Sequence, residues 1–369
     1  MSVPTRVFLF GTLRWEEKLR TVLGRATVKT VPAVAEGFGV VWDAAERFPV
    51  LADDPGGRLD GIVYEASAED LKRLDWYEGA FGYSRRTITL PDGPAEVYRL
   101  DHIAPGDTPW DYDDWLARDG AMSTEAAAEA MRLYPATPAT DMGRMHPMLM
   151  ARAASKLRAQ AAPGGAATRA GAGRKGVTLT GLKPRHRGFF ALDEMDLTHR
   201  RFDGGTQKIN REVFLSTDAT LVLPYDPKRD LVVLVEQFRA GPFRRGDPMP
   251  WCLEPVAGLI DPGETPEDCA HREAMEEAGL TFSSLQPVPG GYPSPGATAE
   301  FYHLFVGLAD LGTYRPTTGG LASEGEDILT HVISLDAALG LLSGGEATVL
   351  PLAYLLTWTA AHRETLKAH

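Results

Sequence analysis

The sequence predicts a mixed α/β (α+β) chain with two domains joined by a linker, and three observations support this fold class. The chain has 369 residues, which exceeds the roughly 100–200 residues of an ordinary single domain. Its 44% hydrophobic and 24% charged residues are typical of a chain that buries a core. Strand-like apolar runs and capped helical segments occur on both sides of a single break in composition.

The break in composition lies within residues 151–176, which carry six basic residues, no acidic residue and no aromatic residue. The run 161–176 is rich in alanine and glycine and contains Pro163, a composition typical of a flexible linker. This linker separates a first domain at 1–160 from a second domain at 177–369. An ordered surface loop is the alternative, and six charges without interleaved aromatic residues make a nucleic-acid tether the weaker interpretation.

Charge and cysteine content limit the partner and the compartment. Thirty-eight basic and fifty acidic side chains give a net charge of −12, which argues against a protein that binds nucleic acid through phosphate contacts. Cys252 and Cys269 lack the spacing of a disulfide framework or a zinc site, so a reducing cytoplasm is expected.

The N-terminal apolar run is too short for a signal peptide. The uncharged run 347–361 is shorter than the ~20 residues of a membrane span and predicts a buried helix starting at Pro351. We therefore expect a cytoplasmic protein with a small-molecule substrate, without nucleic acid or membrane partners.

In the first domain, apolar alternation and turn signals predict an α+β order. Ser67 with Asp70 three residues later is an N-cap pattern, and PDG at 91–93 is a turn signal between two strands. The Met-rich segment 141–150 is interpreted as core filling in preference to a metal site. The predicted strands are 6–10, 38–44, 61–66, 83–90 and 95–100. The predicted helices begin near Trp15 and at Ser67, and further helical segments, including Thr124 to Leu133, run up to the linker.

In the second domain, strands are followed by a well-marked helix. Residues 212–226 and 231–238 are predicted strands around a turn rich in Asp, Pro and Lys. Thr265 suits the N-cap of a helix, Pro266 suits its first position and Gly279 suits its left-handed stop.

That helix is the most informative segment of the chain because of its acidic residues. Glu273 and Glu277 are four residues apart and share one face, with Glu276 three residues from Glu273. Residues 258–280 hold seven acids against one arginine. Like charges at helical spacing repel, so a purely structural helix should avoid this pattern. Hard divalent cations bound through carboxylate oxygens remove the conflict, which predicts Mg²⁺, or Mn²⁺ in its place, with waters and substrate phosphates as further ligands.

The segment resembles the Nudix box, G-x5-E-x7-R-E-U-x-E-E-x-G-U, where U is an apolar residue, and every fixed position is filled. The resemblance implies that Glu273 and Glu277 are metal ligands and that Glu276 lies next to the metals. It also implies that Glu264 and Arg272 pair to hold the loop against the helix. A degenerate Nudix sensor without catalysis is the alternative, although such sensors usually lose acids of the box.

The flanks of the box resemble the ADP-ribose pyrophosphatase branch of the Nudix hydrolases, and this resemblance covers about Thr178 to His369. Pro295, sixteen residues after Gly279, is the marker of that branch. The matching segments are EQFR at 236–239, WCLEPVAG at 251–258, SPG at 294–296 and GLASEGED at 320–327.

The resemblance to this branch implies roles for further residues. Arg239 would contact the substrate phosphates, the Ala257 carbonyl would bind a metal, and Glu300 would lie near the substrate. Glu324 or Glu326, on a mobile acidic loop, would activate the attacking water, and Glu324 is slightly favoured. A guanidinium fork suits phosphate oxygens, and a pyrophosphate that repels hydroxide needs cations, positioning and a base.

Two short motifs in the first domain resemble the gamma-glutamylcyclotransferase-like superfamily over about Thr5 to Arg99. FGTLR at 10–14 resembles a Y-G-[ST]-L turn, and LDWYEG at 74–79 resembles an L-D-x-x-E-G motif. Phe10 replaces the usual tyrosine and so removes a hydroxyl group.

This second resemblance implies that backbone N–H groups of Gly11, Thr12 and Leu13 bind the substrate. It also implies that Glu78 moves a proton between the γ-glutamyl amine and the amide. The alternative is a non-catalytic small-molecule-binding module in which Glu78 is a helix-end carboxylate.

Together, the resemblances imply a Nudix α/β/α sandwich with a mixed sheet, preceded by a small barrel-like α+β domain. The implied function is Mg²⁺-dependent hydrolysis of ADP-ribose to AMP and ribose 5-phosphate. Another nucleoside diphosphate sugar, such as GDP-mannose, is the enzymatic alternative, because the box reads the pyrophosphate and not the base. A sensor that binds ADP-ribose without cleaving it is the alternative from another class. Since the branch's enzymes are usually homodimers that share strands, a homodimer is also expected.

Overall fold

A computed structural model describes residues 4–45, 47–100, 105–162, 168–171 and 173–368 of the chain. Its backbone contacts divide the chain into two compact units, Met1–Asn210 and Arg211–His369. The predicted linker at 161–176 lies inside the first unit, and residues 163–167 and 172 of that prediction lie outside the described residues.

The first unit is built on a curled sheet with the strand order β4-β5-β1-β3-β2-β6, in which β1 pairs parallel with β5 and antiparallel with β3. Val7 and Leu9 pack with the helices, whereas the alternating Phe8 packs inside the curl of the sheet, as the period of two in a strand requires. The elements are β1 Thr5–Leu9, α1 Glu16–Leu23, β2 Thr30–Asp43, β3 Pro49–Ala66, α2 Ala68–Gly79, β4 Ser84–Leu90, β5 Gly93–Arg99, β6 Pro105–Pro109, α3 Tyr112–Ala130 and α4 Ala139–Ala161.

Local signals predicted the starts of several of these elements. Ser67 caps α2 through a capping box, because its hydroxyl accepts from the Asp70 N–H at 3.2 Å and its N–H donates to the Asp70 carboxylate at 2.9 Å. Strands β2 and β3 run well beyond the predicted 38–44 and 61–66, since their antiparallel pairing continues from Thr30 to Trp42. Met142 is fully buried in the helical core, which confirms the core-filling interpretation of the Met-rich segment.

A second, three-stranded sheet follows, with the order β7-β8-β9. Its strands are β7 Val177–Arg187, β8 Ala191–Arg200 and β9 Thr206–Leu215. The single strand predicted over 212–226 is wrong, because β9 ends at Leu215 and a new strand starts at Ala219. The backbone changes partner there: the Phe214 N–H donates to the Ala297 carbonyl, and the Ala219 N–H donates to the Phe301 carbonyl.

The second unit contains a mixed sheet with the strand order β14-β15-β10-β11-β17-β16, in which β12 pairs with β11 and β13 with β10. Strands β10 and β15 are parallel, and the other neighbours are antiparallel. The elements are β10 Ala219–Asp226, β11 Leu231–Phe238, α5 Ala240–Arg245, β12 Trp251–Glu254, β13 Val256–Leu259, α6 Pro266–Ala278, β14 Ser284–Gly291, β15 Tyr302–Leu308, β16 Thr318–Gly319, β17 Ile328–Ser334, α7 Leu335–Gly344, α8 Leu350–Ala361 and α9 Arg363–Lys367.

Helices cover both faces of this sheet, which confirms the predicted α/β/α sandwich. Leu221 and Leu223 of β10 pack with α7 and α8, whereas Val222 between them packs with α6. The alternation along one strand therefore supplies two cores, each of which buries one face of the sheet. This packing fixes α6 against β10 and β13 and so determines where its acidic residues lie.

Candidate active site

Helix α6 begins and ends as the sequence predicts. The Thr265 hydroxyl accepts from the Asp268 N–H at 3.1 Å, and Gly279 ends the helix with a φ of 60°. The stripe Ala270, Ala274 and Ala278 is fully buried, so the helix lies close to the sheet. Its neighbouring glutamates are thereby held against the backbone of β13.

Glu273 lies directly against Gly258 of β13. A Cβ at Gly258 would lie 1.8 Å from the Glu273 Oε1 atom, so only glycine permits this approach. The Glu273 carboxylate accepts from Arg272 Nη1 at 2.6 Å. Burial nevertheless raises the pKa of Glu273 to about 7, with the neighbouring Arg272 cation opposing that rise.

Glu277 is the most deeply buried acid of the helix, with 1% of its surface exposed. One carboxylate oxygen, Oε2, accepts from the Ala257 N–H at 3.1 Å. The other oxygen, Oε1, is buried and has no hydrogen-bond partner among the described residues. Burial raises the pKa of Glu277 to about 9, and the charges of Glu273 and Glu326 add to the rise.

Arg272 ties the loop before the helix to the acids. Its guanidinium forks onto the Glu264 carboxylate at 2.9 and 3.0 Å and donates to the Leu259 carbonyl at 3.1 Å. The third nitrogen also donates to Glu276 at 3.1 Å. A bidentate pair of this kind has the fixed geometry needed to hold one segment against another.

The acidic loop approaches α6 through two glycines. A Cβ at Gly319 would lie 2.0 Å from the Glu277 carbonyl, and the N–H of Gly320, whose φ is +91°, donates to the Glu276 carbonyl at 3.0 Å. Glu326 is half-buried and accepts from the Leu321 N–H at 3.1 Å, and its charge raises the pKa values of Glu273 and Glu277. Glu324 is exposed, in a short 3₁₀ turn of the same loop.

Arg239 is held by a carboxylate that the sequence reasoning did not single out. Its Nε and Nη2 donate to the two oxygens of Glu254 at 2.9 and 2.6 Å. The charges of Glu277 and Glu326 also act on the Arg239 pKa, which places the guanidinium near the acids of α6. Glu254 ends an apolar strand. Its place before Pro255 in the matching segment 251–258 was the only feature of the sequence that could have marked it as a site residue.

Glu300 lies on the stretch that leads into β15. Its N–H donates to the Thr298 hydroxyl at 3.1 Å, and its carboxylate accepts from the Tyr302 hydroxyl at 3.4 Å. Burial raises the pKa of Glu300. The charges of Glu254 and Arg239 also act on the pKa of Tyr302. Glu300 therefore lies on the same side of the site as Arg239.

The residues present fit a divalent cation. The unpartnered buried Oε1 of Glu277 needs a positive partner or a proton, and Glu273 adds a second hard oxygen donor on the same face. Within the described part of the chain, no three His, Cys, Asp or Glu side chains form a complete metal-binding group. Carbonyl oxygens, waters and substrate phosphates would therefore complete the coordination, as is usual for Mg²⁺.

The raised pKa values predict how the stability of the metal-free protein depends on pH. The folded carboxyls of Glu273 and Glu277 hold protons that the unfolded chain releases near its ordinary pKa, so the unfolding free energy should fall as pH rises through that window. Between pH 5.5 and 8.5, the melting temperature should fall by on the order of 5–10 °C with EDTA present. At pH 8.5, Mg²⁺ should restore most of the lost melting temperature, because the cation replaces the proton on the carboxylates.

Calorimetry of the wild type and of Glu277→Gln across this range checks the prediction. The variant should lose most of the pH dependence. A metal-free melting temperature that rises over the same range would contradict it.

The first unit contains a separate cavity of about 200 Å³. Gly11, Thr12, Leu13 and Glu78, to which the resemblance assigned roles at a substrate site, line it together with Lys18. Burial raises the pKa of Glu78, and the nearby Lys18 ammonium opposes that rise. The sequence reasoning missed Lys18, although its position four residues before the buried Val22 places it on the apolar face of α1.

In the described residues, no helix has the length and apolar character needed to cross a membrane.

Two family models match the chain. A model described as the NUDIX domain matches residues 215–352, and one described as gamma-glutamyl cyclotransferase, AIG2-like, matches residues 7–117. The two matches occur in the order that the sequence predicted.

Several characterised proteins resemble the second half of the chain. The ADP-ribose pyrophosphatase of Escherichia coli (strain K12) is 39% identical over 196 residues, which are 53% of this chain and 93% of that protein. The ADP-ribose pyrophosphatase of Haemophilus influenzae is 38% identical over 165 residues, which are 44% of this chain and 76% of that protein. The GDP-mannose pyrophosphatase of Escherichia coli (strain HS) is 32% identical over 185 residues, 49% and 95% of the respective chains.

A solved structure titled "Crystal structure of ADP compounds hydrolase" covers 50% of this chain and 95% of its own, with a TM-score of 0.40 and 20% identity. The identity to the Escherichia coli ADP-ribose pyrophosphatase extends over nearly the whole of that protein. The complete acidic box lies within the matched region. This chain therefore belongs to the Nudix hydrolase family and carries a gamma-glutamyl cyclotransferase-like region ahead of its Nudix domain.

Proposed function

We propose that the second unit is a Mg²⁺-dependent pyrophosphatase that hydrolyses ADP-ribose to AMP and ribose 5-phosphate. The observation that carries the proposal is the buried, unpartnered oxygen of Glu277 beside Glu273 and the Ala257 backbone. A catalytic metal site explains this costly arrangement, whereas a sensor domain would have no need for it. The proposed substrate follows the ADP-ribose pyrophosphatases, which resemble the chain at 39% identity against 32% for the GDP-mannose enzyme.

The proposed reaction cleaves one P–O bond of the pyrophosphate. A water oxygen forms a bond to phosphorus while the bridging oxygen leaves with the other phosphate. Glu273, Glu277 and the Ala257 carbonyl would hold the metal, and Glu276 would lie beside it. When bound, a divalent cation offsets phosphate charge and makes a nearby water more acidic.

The proton of the attacking water needs an acceptor on the protein. We propose Glu324 for this role, because its side chain is exposed on the loop that packs against α6. Glu326 has another task in this scheme, since its carboxylate accepts from the Leu321 N–H and holds the shape of the loop.

Arg239 and Glu300 would bind the substrate. The Arg239 fork is presented by Glu254 at the edge of the acidic site, where a pyrophosphate oxygen can share its N–H donors. Glu300, with its raised pKa, offers a hydrogen-bonding carboxyl on the same side.

We expect Arg239→Ala to raise KM for ADP-ribose by about 10- to 100-fold, because charge-assisted hydrogen bonds to phosphate are lost. The affinity for Mg²⁺ should change much less. Steady-state kinetics and a Mg²⁺ titration measure both. The comparison variant is Glu254→Gln, which weakens the pairing but keeps the guanidinium, and its KM should rise less than that of Arg239→Ala. An unchanged KM with a lower melting temperature in Arg239→Ala would show that the pair is only structural.

A substrate panel with Mg²⁺ tests the proposed function itself. ADP-ribose, GDP-mannose and further nucleoside diphosphate sugars would be compared by kcat/KM, with release of the nucleoside monophosphate as the readout. ADP-ribose should be the best substrate and should yield AMP. A higher kcat/KM for GDP-mannose would contradict ADP-ribose as the substrate. Tight binding of ADP-ribose without AMP release would indicate a sensor.

For the first unit, we propose a γ-glutamyl cyclotransferase reaction in the cavity lined by Glu78. The amine of a γ-glutamyl compound would attack its own γ-carbonyl carbon, and the amide nitrogen would leave with a proton. Glu78 can take the proton from the amine and return it to the leaving nitrogen, because burial raises its pKa toward the working pH. The backbone of Gly11, Thr12 and Leu13 lines the same cavity and would bind the substrate. Loss of γ-glutamyl turnover in Glu78→Gln would support this assignment, and unchanged turnover would contradict it.

The predicted boundaries, with domains at 1–160 and 177–369, stay a prediction, as do the homodimer and the cytoplasmic location. We expect a chain starting near Gly176 to hydrolyse ADP-ribose at a rate close to that of the full chain, because the second half carries the complete motif set and its own core. Kinetics and the oligomeric mass of both chains provide the measurement, and a chain starting at Arg211 is the comparison. If the chain starting near Gly176 folds but loses more than about tenfold in kcat/KM, roughly 1.4 kcal/mol of transition-state stabilisation, the predicted boundary is contradicted.

A further inference from the structure

The cavity of the first unit contains a buried lysine that the proposed cyclotransferase chemistry does not use. Lys18 is 4% exposed and lines the cavity together with Glu78. Lysine is rarely buried to this extent unless it is paired, because removing its charge from water is costly. Its presence therefore calls for a partner that compensates the charge.

The described neighbours of the Lys18 ammonium leave it incompletely satisfied. Nζ donates to the Thr12 hydroxyl at 2.8 Å and to the Ser123 hydroxyl at 2.7 Å. The rings of Tyr77 and Trp115 lie 5.6 and 5.4 Å away, at the distance of a cation–π contact. An ammonium has three donors, and two neutral hydroxyls and two rings supply no full negative charge. Burial accordingly lowers the pKa of Lys18.

The other cations that line the cavity differ from Lys18. Arg118 is paired with Asp119 at 2.8 Å and its side chain is 65% exposed. Arg47 is paired with Asp43 at 3.4 Å and its side chain is 60% exposed. His146 has its pKa lowered by burial and by the Lys18 charge, so it is neutral near pH 7. Among the described residues that line the cavity, Lys18 is thus the cation that is deeply buried.

Glu78 supplies the complementary group. It lines the same cavity, and its charge is close enough to act on the pKa of Lys18. Among the described residues, the Lys18 ammonium donates to the two hydroxyls and not to the Glu78 carboxylate. The lining of one cavity therefore offers both an ammonium donor and a carboxyl acceptor, which together suit a molecule that carries a carboxylate and an amine.

We propose that Lys18 is the carboxylate receptor of this cavity and binds the α-carboxylate of a γ-glutamyl compound, with the amine of that compound facing Glu78. The inference rests on the proposed function of the first unit for one point only, namely that the ligand is a γ-glutamyl compound. Binding and turnover are separate measurements, so the two proposals can fail independently. Lys18 is a binding residue in this scheme, and Thr12 and Ser123 position its ammonium.

The ligand side of the test uses full-length wild-type protein and two matched compounds. Glutaric acid monomethylamide has the γ-amide and the carboxylate but lacks the attacking amine, so it cannot cyclise. N-methylglutaramide replaces the carboxylate with an uncharged carboxamide of similar shape. Isothermal titration calorimetry should show that the acid binds at least about tenfold more tightly, since a charge-assisted hydrogen bond is at stake.

The protein side of the test compares Lys18→Met with Arg118→Met and Arg47→Met. Lys18→Met should abolish the preference for the acid, whereas the two arginine variants should keep it. Near-UV circular dichroism checks the fold of each variant. If Lys18→Met does not fold, Ser123→Ala should still reduce the preference several-fold, because it removes a hydroxyl that orients the ammonium.

The outcomes separate the two proposals. A preference that persists in folded Lys18→Met, or that disappears in an arginine variant instead, would overturn the role of Lys18 and leave the cyclotransferase proposal standing. A preference that depends on Lys18 without any turnover of γ-glutamyl methylamide would support the receptor and overturn the cyclotransferase proposal. Failure of both compounds to bind would overturn the receptor.

Discussion

Glu277→Gln should keep the fold and lose turnover of ADP-ribose by on the order of 10³-fold at saturating Mg²⁺. The buried carboxylate has one oxygen tied to the Ala257 N–H and one oxygen without a partner. A glutamine keeps the shape and one carbonyl oxygen but removes the charge that a hard cation requires. The substitution also removes a buried acid whose ionisation is disfavoured, so the metal-free variant should be at least as stable as the wild type above pH 7.

Initial rates over a Mg²⁺ series, with circular dichroism of each variant, measure this effect. Glu267→Gln is the matched control, since Glu267 is an exposed acid in the first turn of the same helix. Its rate should equal that of the wild type. A near-normal rate for Glu277→Gln at saturating Mg²⁺ would contradict the metal assignment and favour a purely structural acid.

The second large effect is expected for Glu324→Gln, with a fall in kcat of about 10²- to 10⁴-fold, the usual contribution of a general base. KM should change little, because the exposed side chain contributes to proton transfer and not to phosphate binding. Initial rates over a substrate series at saturating Mg²⁺ measure kcat and KM separately.

Glu326→Gln is the matched comparison on the same loop. Its amide can still accept from the Leu321 N–H, and the loss of one negative charge beside Glu273 and Glu277 should cost less, about tenfold or below. If Glu326→Gln shows the larger loss of kcat and Glu324→Gln does not, the two residues exchange roles. A kcat near that of the wild type in both variants would remove the loop glutamates from the proton transfer.

The local signals predicted those elements that are defined by their own residues. The helix from Pro266 to Ala278 has its cap, its first-turn proline and its glycine stop in the chain itself, and the structure reproduces all three. The capping box of Ser67 is another such case. These interactions join residues three or four apart, so the sequence contains both partners.

Elements that depend on pairing with distant residues were predicted less well. The strand predicted over 212–226 is divided at Ser216, because the backbone exchanges one partner strand for another. The strand β3 extends to Pro49 because β2 pairs with it from Pro49 to Tyr64, with one register shift on the way. Apolar patterning reports which residues can be buried, and the partner strand decides where the pairing starts and stops.

The sequence by itself determined the acidic helix, its capping and the set of carboxylates, since periodicity places Glu273 and Glu277 on one face and the box can be read letter by letter. Only the tertiary structure decided the environment of each group. It placed Gly258 against Glu273, left one oxygen of Glu277 without a partner and joined Arg239 to Glu254. The physical reason is that charge state, pairing and desolvation depend on atoms brought together from distant parts of the chain, and spacing along the sequence does not record them.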